Sequence, residues 1–219
     1  MNSATLTLAG ETLTALPSGA LFWARVNLLV VSDLHLGKSE RIARRGGALL
    51  PPYETAETLD RLADDIRLHA PKTVICLGDS FDDIAAGEAL STTHRALITG
   101  LQAGRRWLWI EGNHDPGPVD LGGTHLGETR IGALTFRHIA TRSPEPGEIS
   151  GHYHPKARMK GASRPCFMAD EGRLILPAYG CYTGGLDWTT PVLRQLFADR
   201  AVAYLTGRRV LAVPVPRAA

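Results

Sequence analysis

Apolar positions in the first half of the chain follow two rhythms. Residues 5–26 alternate apolar and polar positions in short runs broken by Ala9-Gly10 and Pro17-Ser18-Gly19. That pattern predicts two or three antiparallel strands. Asn27-Leu28-Leu29-Val30-Val31 is an apolar run too short for a helix and fits a buried strand. Over residues 53–69 the spacing turns helical, with Leu59, Leu62 and Ile66 separated by charges, Pro51-Pro52 before and Pro71 after. Residues 73–77 predict a second strand, 87–102 a second helix and 106–110 a third strand. A fourth strand is expected over 130–136 after a Gly-rich turn, and a fifth at Glu148-Ile149-Ser150 after the turn at 143–147. Residues 161–215 read mostly as strands and turns, clearest at 173–176 and 201–205, with a hairpin turn at Gly207-Arg208-Arg209. No repeat, low-complexity tract or linker interrupts the chain, so one domain over residues 1–219 is expected. Strands alternating with helices, then strands in series, predict an α/β fold with helices outside the sheets.

Composition narrows the class of protein. Apolar and charged fractions are those of a globular chain, and the formal net charge is only +2. Bulk charge therefore points to no nucleic acid, and any basic surface must be local. Cys76, Cys166 and Cys181 are odd in number and form no C-x-x-C pair. That argues for reduced thiols in a cytoplasmic protein, against a disulfide scaffold and against structural zinc. The N-terminus lacks the pattern of a signal peptide, and no run of about 18 apolar residues is present to span a membrane.

The chemistry lies just past the end of each strand. Asp33-Leu34-His35 comes after the first, Gly78-Asp79-Ser80-Phe81-Asp82 after the second and Gly112-Asn113-His114-Asp115 after the third. His138 comes after the fourth, and Gly151-His152-Tyr153-His154 after the fifth. Each alone is an ordinary polar turn, but five strands in order deliver Asp, Asn or His to one sheet edge, where α/β sites form. Imidazole with carboxylate and amide oxygen suits divalent Mn, Fe or Zn. Seven such groups exceed the needs of one ion and suffice for two if one carboxylate bridges. Two ions about 3.5–4 Å apart clamp a phosphate and supply hydroxide near neutral pH.

This motif series, over residues 33–154, resembles the calcineurin-like metallophosphoesterase superfamily. The resemblance implies a four-layer α/β-β/α sandwich of mixed sheets. It implies one metal on Asp33, His35, Asp79 and His154, and a second on Asp79, Asn113, His138 and His152. His114 would contact the scissile phosphate and stabilise or protonate the leaving oxygen, with Asp82 orienting it. Outside those motifs, His35-Leu36-Gly37-Lys38, Leu50-Pro51, Gly78-Asp79-Ser80-Phe81 and the stretch from Leu176-Pro177-Ala178-Tyr179-Gly180 to Gly184-Gly185-Leu186 are similar to the ligase-associated DNA damage response endonucleases. That group implies a Mn²⁺-dependent phosphodiesterase acting on DNA beside a ligase, an exonuclease and a helicase. Its members often carry His where Asp82 stands here.

Basic residues flank the first and last motifs: Lys38, Arg41, Arg44 and Arg45, then Lys156, Arg158, Lys160 and Arg164. Lys38, Arg44 and Lys156 are the candidates for binding substrate phosphates. Tyr153 suits packing or base stacking, and the Gly-rich loop at 177–186 suits a wall of the site. His69, His94 and His125 fall outside any ligand pattern and read as surface, whereas Cys76, Trp23, Trp107 and Trp109 read as core. Three functions fit: a DNA phosphodiesterase, a hydrolase of small phosphates such as cyclic nucleotides, nucleotide pyrophosphates or phosphomonoesters, and a non-catalytic scaffold. The scaffold ranks last because no ligand is missing. Oligomeric state stays open, a homodimer included.

Overall fold

The computed structural model describes residues 2–47, 53–142, 145–159 and 161–216. The Leu50-Pro51 and Pro51-Pro52 motifs, Lys160 and part of the 143–147 turn lie outside them. Two sheets face each other. The first runs in chain order through β1 (Ala4–Leu8), β2 (Glu11–Ala15), β3 (Leu21–Trp23), β4 (Leu28–Val31), β5 (Thr73–Leu77), β6 (Arg106–Ile110) and β7 (Thr124–Leu126). Pairing is antiparallel up to β4 and parallel from β4 to β7. The second sheet uses β8 (Glu128–Ile131), β9 (Leu134–Arg137), β10 (Glu148–Ser150), β11 (Lys156–Met159), β12 (Ala162–Ala169), β13 (Arg173–Ile175), β14 (Val202–Leu205) and β15 (Leu211–Pro214). Its order is β15-β14-β12-β13-β10-β9-β8, with β11 attached to β12. In its middle, β9, β10 and β13 run parallel.

Period-two burial explains the layering. In β4, β5 and β6 the residues Leu28, Val30, Ile75, Leu77, Leu108 and Ile110 point between the sheets, where they meet Phe136, Ile149 and Phe167. Their alternates Leu29, Val31, Val74, Cys76, Trp107 and Trp109 point outward. There they pack under α2 (Glu54–His69), through Leu59, Leu62 and Ile66, and α4 (Thr92–Gln102), through Ile98 and Leu101. The second sheet's outer face is covered by Trp188, Leu193 and the four-residue α5 (Pro191–Arg194). The architecture is the expected α/β-β/α sandwich, with a thin fourth layer.

Local departures from the sequence pattern have local causes. The helix expected over 87–102 is two, α3 (Ile84–Glu88) and α4, because Asp83 and Ser91 each cap a new N-terminus. The strand expected over 130–136 is the hairpin β8–β9, turned at Gly132 with φ 59°. Apolar alternation continues through that turn and hides it. The basic stretch after Gly37 forms α1 (Lys38–Arg44), a helix without an apolar face. It is anchored from α2: buried Glu54 accepts from the Ser39 amide at 3.1 Å and hydroxyl at 2.7 Å. His69, His94 and His125 are half-buried, and His69 lies against Phe22. Among the described residues no helix is long and apolar enough to cross a membrane.

Candidate metal centre

The carboxyl ends of β4, β5 and β6 in one sheet and of β9 and β10 in the other converge. Past its last residue, β4 keeps bonding to the β5 end: Asp33 N donates to Gly78 O at 3.2 Å and His35 N to Asp79 O at 2.9 Å. The chain there is bent sharply. Asp33, His35, Asp79, His152 and His154 all have φ between 45° and 70°, five of the nine non-glycine residues described in that region. Left-handed backbone is uncommon for such residues and collects where surrounding structure holds a site. Close approach also demands glycine. A Cβ on Gly151 would overlap Ser32 Oγ and Asp33, and one on Gly112 would overlap Asp79.

Three three-residue groups bring their ligand atoms within 4.8 Å of one another: Asp33, His35 and His154; Asp79, His138 and His152; and His35, Asp82 and His114, which shares His35 with the first. In the first, His154 Nε2 stands 3.0 Å from Asp33 Oδ1, and Asp33 Oδ2 accepts from Ser32 Oγ at 2.5 Å and from His152 N at 3.0 Å. Burial would raise the Asp33 pKa, but the nearby His154 and His138 and the Ser32 hydroxyl hold it below the usual range. In the second, His138 Nδ1 donates to Leu77 O at 2.9 Å, which turns Nε2 inward. Around Nε2 lie Asn113 Oδ1 at 3.1 Å, His152 Nδ1 at 3.2 Å and Asp79 Oδ2 at 3.4 Å. Burial disfavours charge on His138, but the Asp79 and Asp33 carboxylates push its pKa up to about 9. Burial likewise opposes charge on Asp79, and His138 brings its pKa down to about 2.

These donors fit divalent cations. His35 Nδ1, His35 Nε2 and His154 Nε2 are buried without a hydrogen-bond partner of good geometry. His35 Nδ1 nevertheless stands 3.0 Å from Asp82 Oδ1. Imidazole nitrogens turned toward carboxylates without hydrogen-bonding them, and two imidazoles nose to nose, are satisfied by shared positive charge.

His114 comes to the same place. Its ring lies edge-on to His35, centroids 5.2 Å apart, and its Nδ1 meets the main-chain carbonyl of Asp82 at 2.8 Å. The expected orientation by Asp82 thus runs through the backbone. The Asp82 carboxylate, fully buried, turns instead to His35 and to the Nε of Arg41. Arg41 was legible only as one of a basic cluster. Asp115 is the other residue given no role by the sequence, although it ends the Gly112-Asn113-His114-Asp115 motif. Its carboxylate accepts from the amides of Asp79, Ser80, Phe81 and Gly112 at 2.7–3.1 Å, pinning two strand ends together. Burial pushes its pKa up to about 6 against those hydrogen bonds, with the Asp79 charge adding to the rise.

The basic residues divide. Arg44 pairs with Glu40 at 3.0 Å and Asp83 at 2.9 Å, so its charge is spent locally. Arg164 donates to the Thr206 carbonyl. Lys38, at the start of α1, enters no ion pair among the described residues, and Lys156 Nζ donates to Thr183 O at 3.0 Å. Tyr153 packs against the outer core of the second sheet and the His152 ring. The 177–186 loop does border the centre: Tyr179 N donates to Ser32 O at 2.7 Å and Gly180 N to Asp33 O at 3.0 Å.

Comparison with known proteins gives the family. A family model described as calcineurin-like phosphoesterase matches residues 26–200. The solved structure of the Pseudomonas putida nuclease MPE has 28% identity and a TM-score of 0.77, over 97% of this chain and 100% of that one. The E. coli phosphoesterase YfcE, at 9% identity and TM-score 0.40 over 86% and 99% of the two chains, is too distant to bear on the site. No curated protein matches the chain. The chain belongs to the calcineurin-like phosphoesterase family, and is a metal-dependent hydrolase of phosphate esters.

Proposed function

We propose that this enzyme is a phosphodiesterase that cuts DNA, using two divalent ions, Mn²⁺ ahead of Fe²⁺ or Zn²⁺. The observation that carries the proposal is the pairing of two ligand groups, each drawn from both sheets. Asp33, His35, Asp79 and His154 would hold one ion and Asp79, Asn113, His138 and His152 the other, with Asp79 shared. Bound there, the ions supply charge neutralisation for the phosphate and lower the pKa of an attacking water. The chain's own groups do the rest. Leu77 O and Asp115 fix the directions of His138 and of the strand ends. The Asp82 carbonyl accepts from His114 Nδ1, which turns Nε2 away from it; in the imidazolium form Nε2 carries the second proton and would give it to the leaving oxygen, leaving a neutral ring. Lys38 adds positive charge where a polyanion approaches.

The choice of DNA is supported by the similarity to the Pseudomonas putida nuclease over nearly the whole chain. Motif resemblance to the ligase-associated endonucleases extends the proposal to DNA repair beside a ligase, an exonuclease and a helicase. The test is a panel of single- and double-stranded DNA, cyclic nucleotides, bis(p-nitrophenyl) phosphate and p-nitrophenyl phosphate, each with Mn²⁺, Fe²⁺ and Zn²⁺. Cleavage of DNA and of the chromogenic diester is expected, fastest with Mn²⁺. Efficient hydrolysis of cyclic nucleotides with DNA left intact would replace DNA by a small phosphate.

A further inference from the structure

One cavity borders the centre and a second lies one loop away from it, and the two differ in charge. One, of about 450 Å³, adjoins Asn113 and His138 and is flanked by Glu111 and Glu128, with Arg137 paired to Glu128 at 3.0 Å. Two carboxylates against a cation already neutralised make it a poor path for a polyanion. The other, of about 440 Å³, lies beside the 177–186 loop and contains Arg61, Lys156, Tyr182, Ser18 and Thr206, with no Asp or Glu among its described lining residues.

That loop joins the cavity to the metal centre. At one end it bonds to the Ser32 and Asp33 carbonyls; at the other, Leu186 N donates to Tyr153 O at 3.3 Å, and Gly185 lies so close to the His154 main chain that a Cβ would overlap it. The two metal-ligand segments it touches, at Asp33 and His154, belong to one ligand group. The cavity is therefore one loop's width from that group.

Its two cations are not spent on carboxylates. Arg41, Arg44, Arg45, Arg137 and Arg173 all face carboxylates. Arg61 and Lys156 enter no ion pair among the described residues. Arg61 lies over the Tyr179 ring, 4.6 Å from its centroid, and donates to the Tyr179 carbonyl, while its Nε is buried without a partner. Lys156 uses one donor on Thr183 O and has three. Tyr182, at the rim, is 50% exposed and held at φ 57°, a conformation rare for an aromatic residue.

We propose that this cavity is a subsite for a nucleotide next to the cleaved bond: Arg61 and Lys156 bind the adjacent phosphate and Tyr182 stacks on its base. The inference rests on a nucleic-acid strand as substrate. It gives the strand a direction of exit, over the group containing Asp33 and His154 and away from Glu111 and Glu128. Arg61 also braces the loop, so Lys156 and Tyr182 are the cleaner probes.

The experiment measures inhibition of bis(p-nitrophenyl) phosphate hydrolysis by oligothymidylates of increasing length, with Mn²⁺-loaded enzyme. For the wild type, the inhibition constant should fall about tenfold or more once the strand is long enough to reach the cavity. Tyr182→Ala and Lys156→Gln should each lose most of that gain, and Lys156→Arg should keep it. Tyr182 is at the surface, so Tyr182→Ala stays informative if Lys156→Gln loosens the loop. The same length dependence in Tyr182→Ala and wild type would overturn the subsite alone. A wild type that hydrolyses the diester but is inhibited by no oligothymidylate would overturn the nucleic-acid substrate, and the subsite with it.

Discussion

As a proposed ligand, His138 ties folding, protonation and metal binding together in one side chain. With a folded pKa of about 9 against an ordinary 6.5, it binds its proton more tightly in the folded chain. In metal-free protein this stabilisation is full below pH 6.5 and is lost as pH rises through about 9. A metal ion must displace that proton, so apparent affinity should tighten about tenfold per pH unit across this window, with proton release visible by calorimetry in buffers of different ionisation enthalpy. Affinity flat from pH 6.5 to 9 would contradict the ligand role of His138. His114 is assigned to proton donation and not to metal. His114→Ala should keep its metals and lose about 10²–10⁴-fold in turnover, partly restored by an activated leaving group. Asp82 faces His35 and is itself held by Arg41. Arg41→Ala or Asp82→Asn should therefore weaken metal binding about 10–100-fold, as measured by titration. A turnover loss with metal affinity intact would mean instead that Asp82 acts through His114.

Strands and their trailing loops were the legible elements. In β4, β5 and β6 an apolar run and its ligand motif are contiguous, so local spacing alone marks both. All seven metal-ligand candidates and His114 fall at the converging strand ends. The illegible parts depend on residues far apart in sequence. Arg41 meets Asp82 across 41 positions, and Glu54 reaches back 15 to anchor a helix with no apolar stripe. The 177–186 loop has a composition that says turn and a position that only the second sheet determines. Its contact with the metal motif is testable at Gly180, where a Cβ would overlap the Leu34 carbonyl. Gly180→Ala should destabilise the protein by about 1–3 kcal/mol, as overpacking does, and lower metal affinity at the Asp33 group. Unchanged thermal stability would show that the loop yields freely.

For the whole molecule, both sheets are needed for the proposed ligand set, because neither alone supplies it. Asp33, His35, Asp79 and Asn113 come from the first, and His138, His152 and His154 from the second. Packing of the inter-sheet core, Leu77 and Ile110 on Phe136 and Ile149, thus sets the spacing of the metal groups. If DNA is the substrate, as proposed, the small net charge and the pairing of Arg41 and Arg44 with carboxylates predict a modest, largely electrostatic grip on it. The central claim is that two ions share Asp79. It is tested most directly by the metal content per chain of wild type and Asp79→Asn after dialysis against metal-free buffer. Two ions in the wild type and depletion of both in Asp79→Asn are expected, because a neutral amide bridges two cations poorly. Two tightly held ions in Asp79→Asn, or a single ion in the fully active wild type, would contradict it.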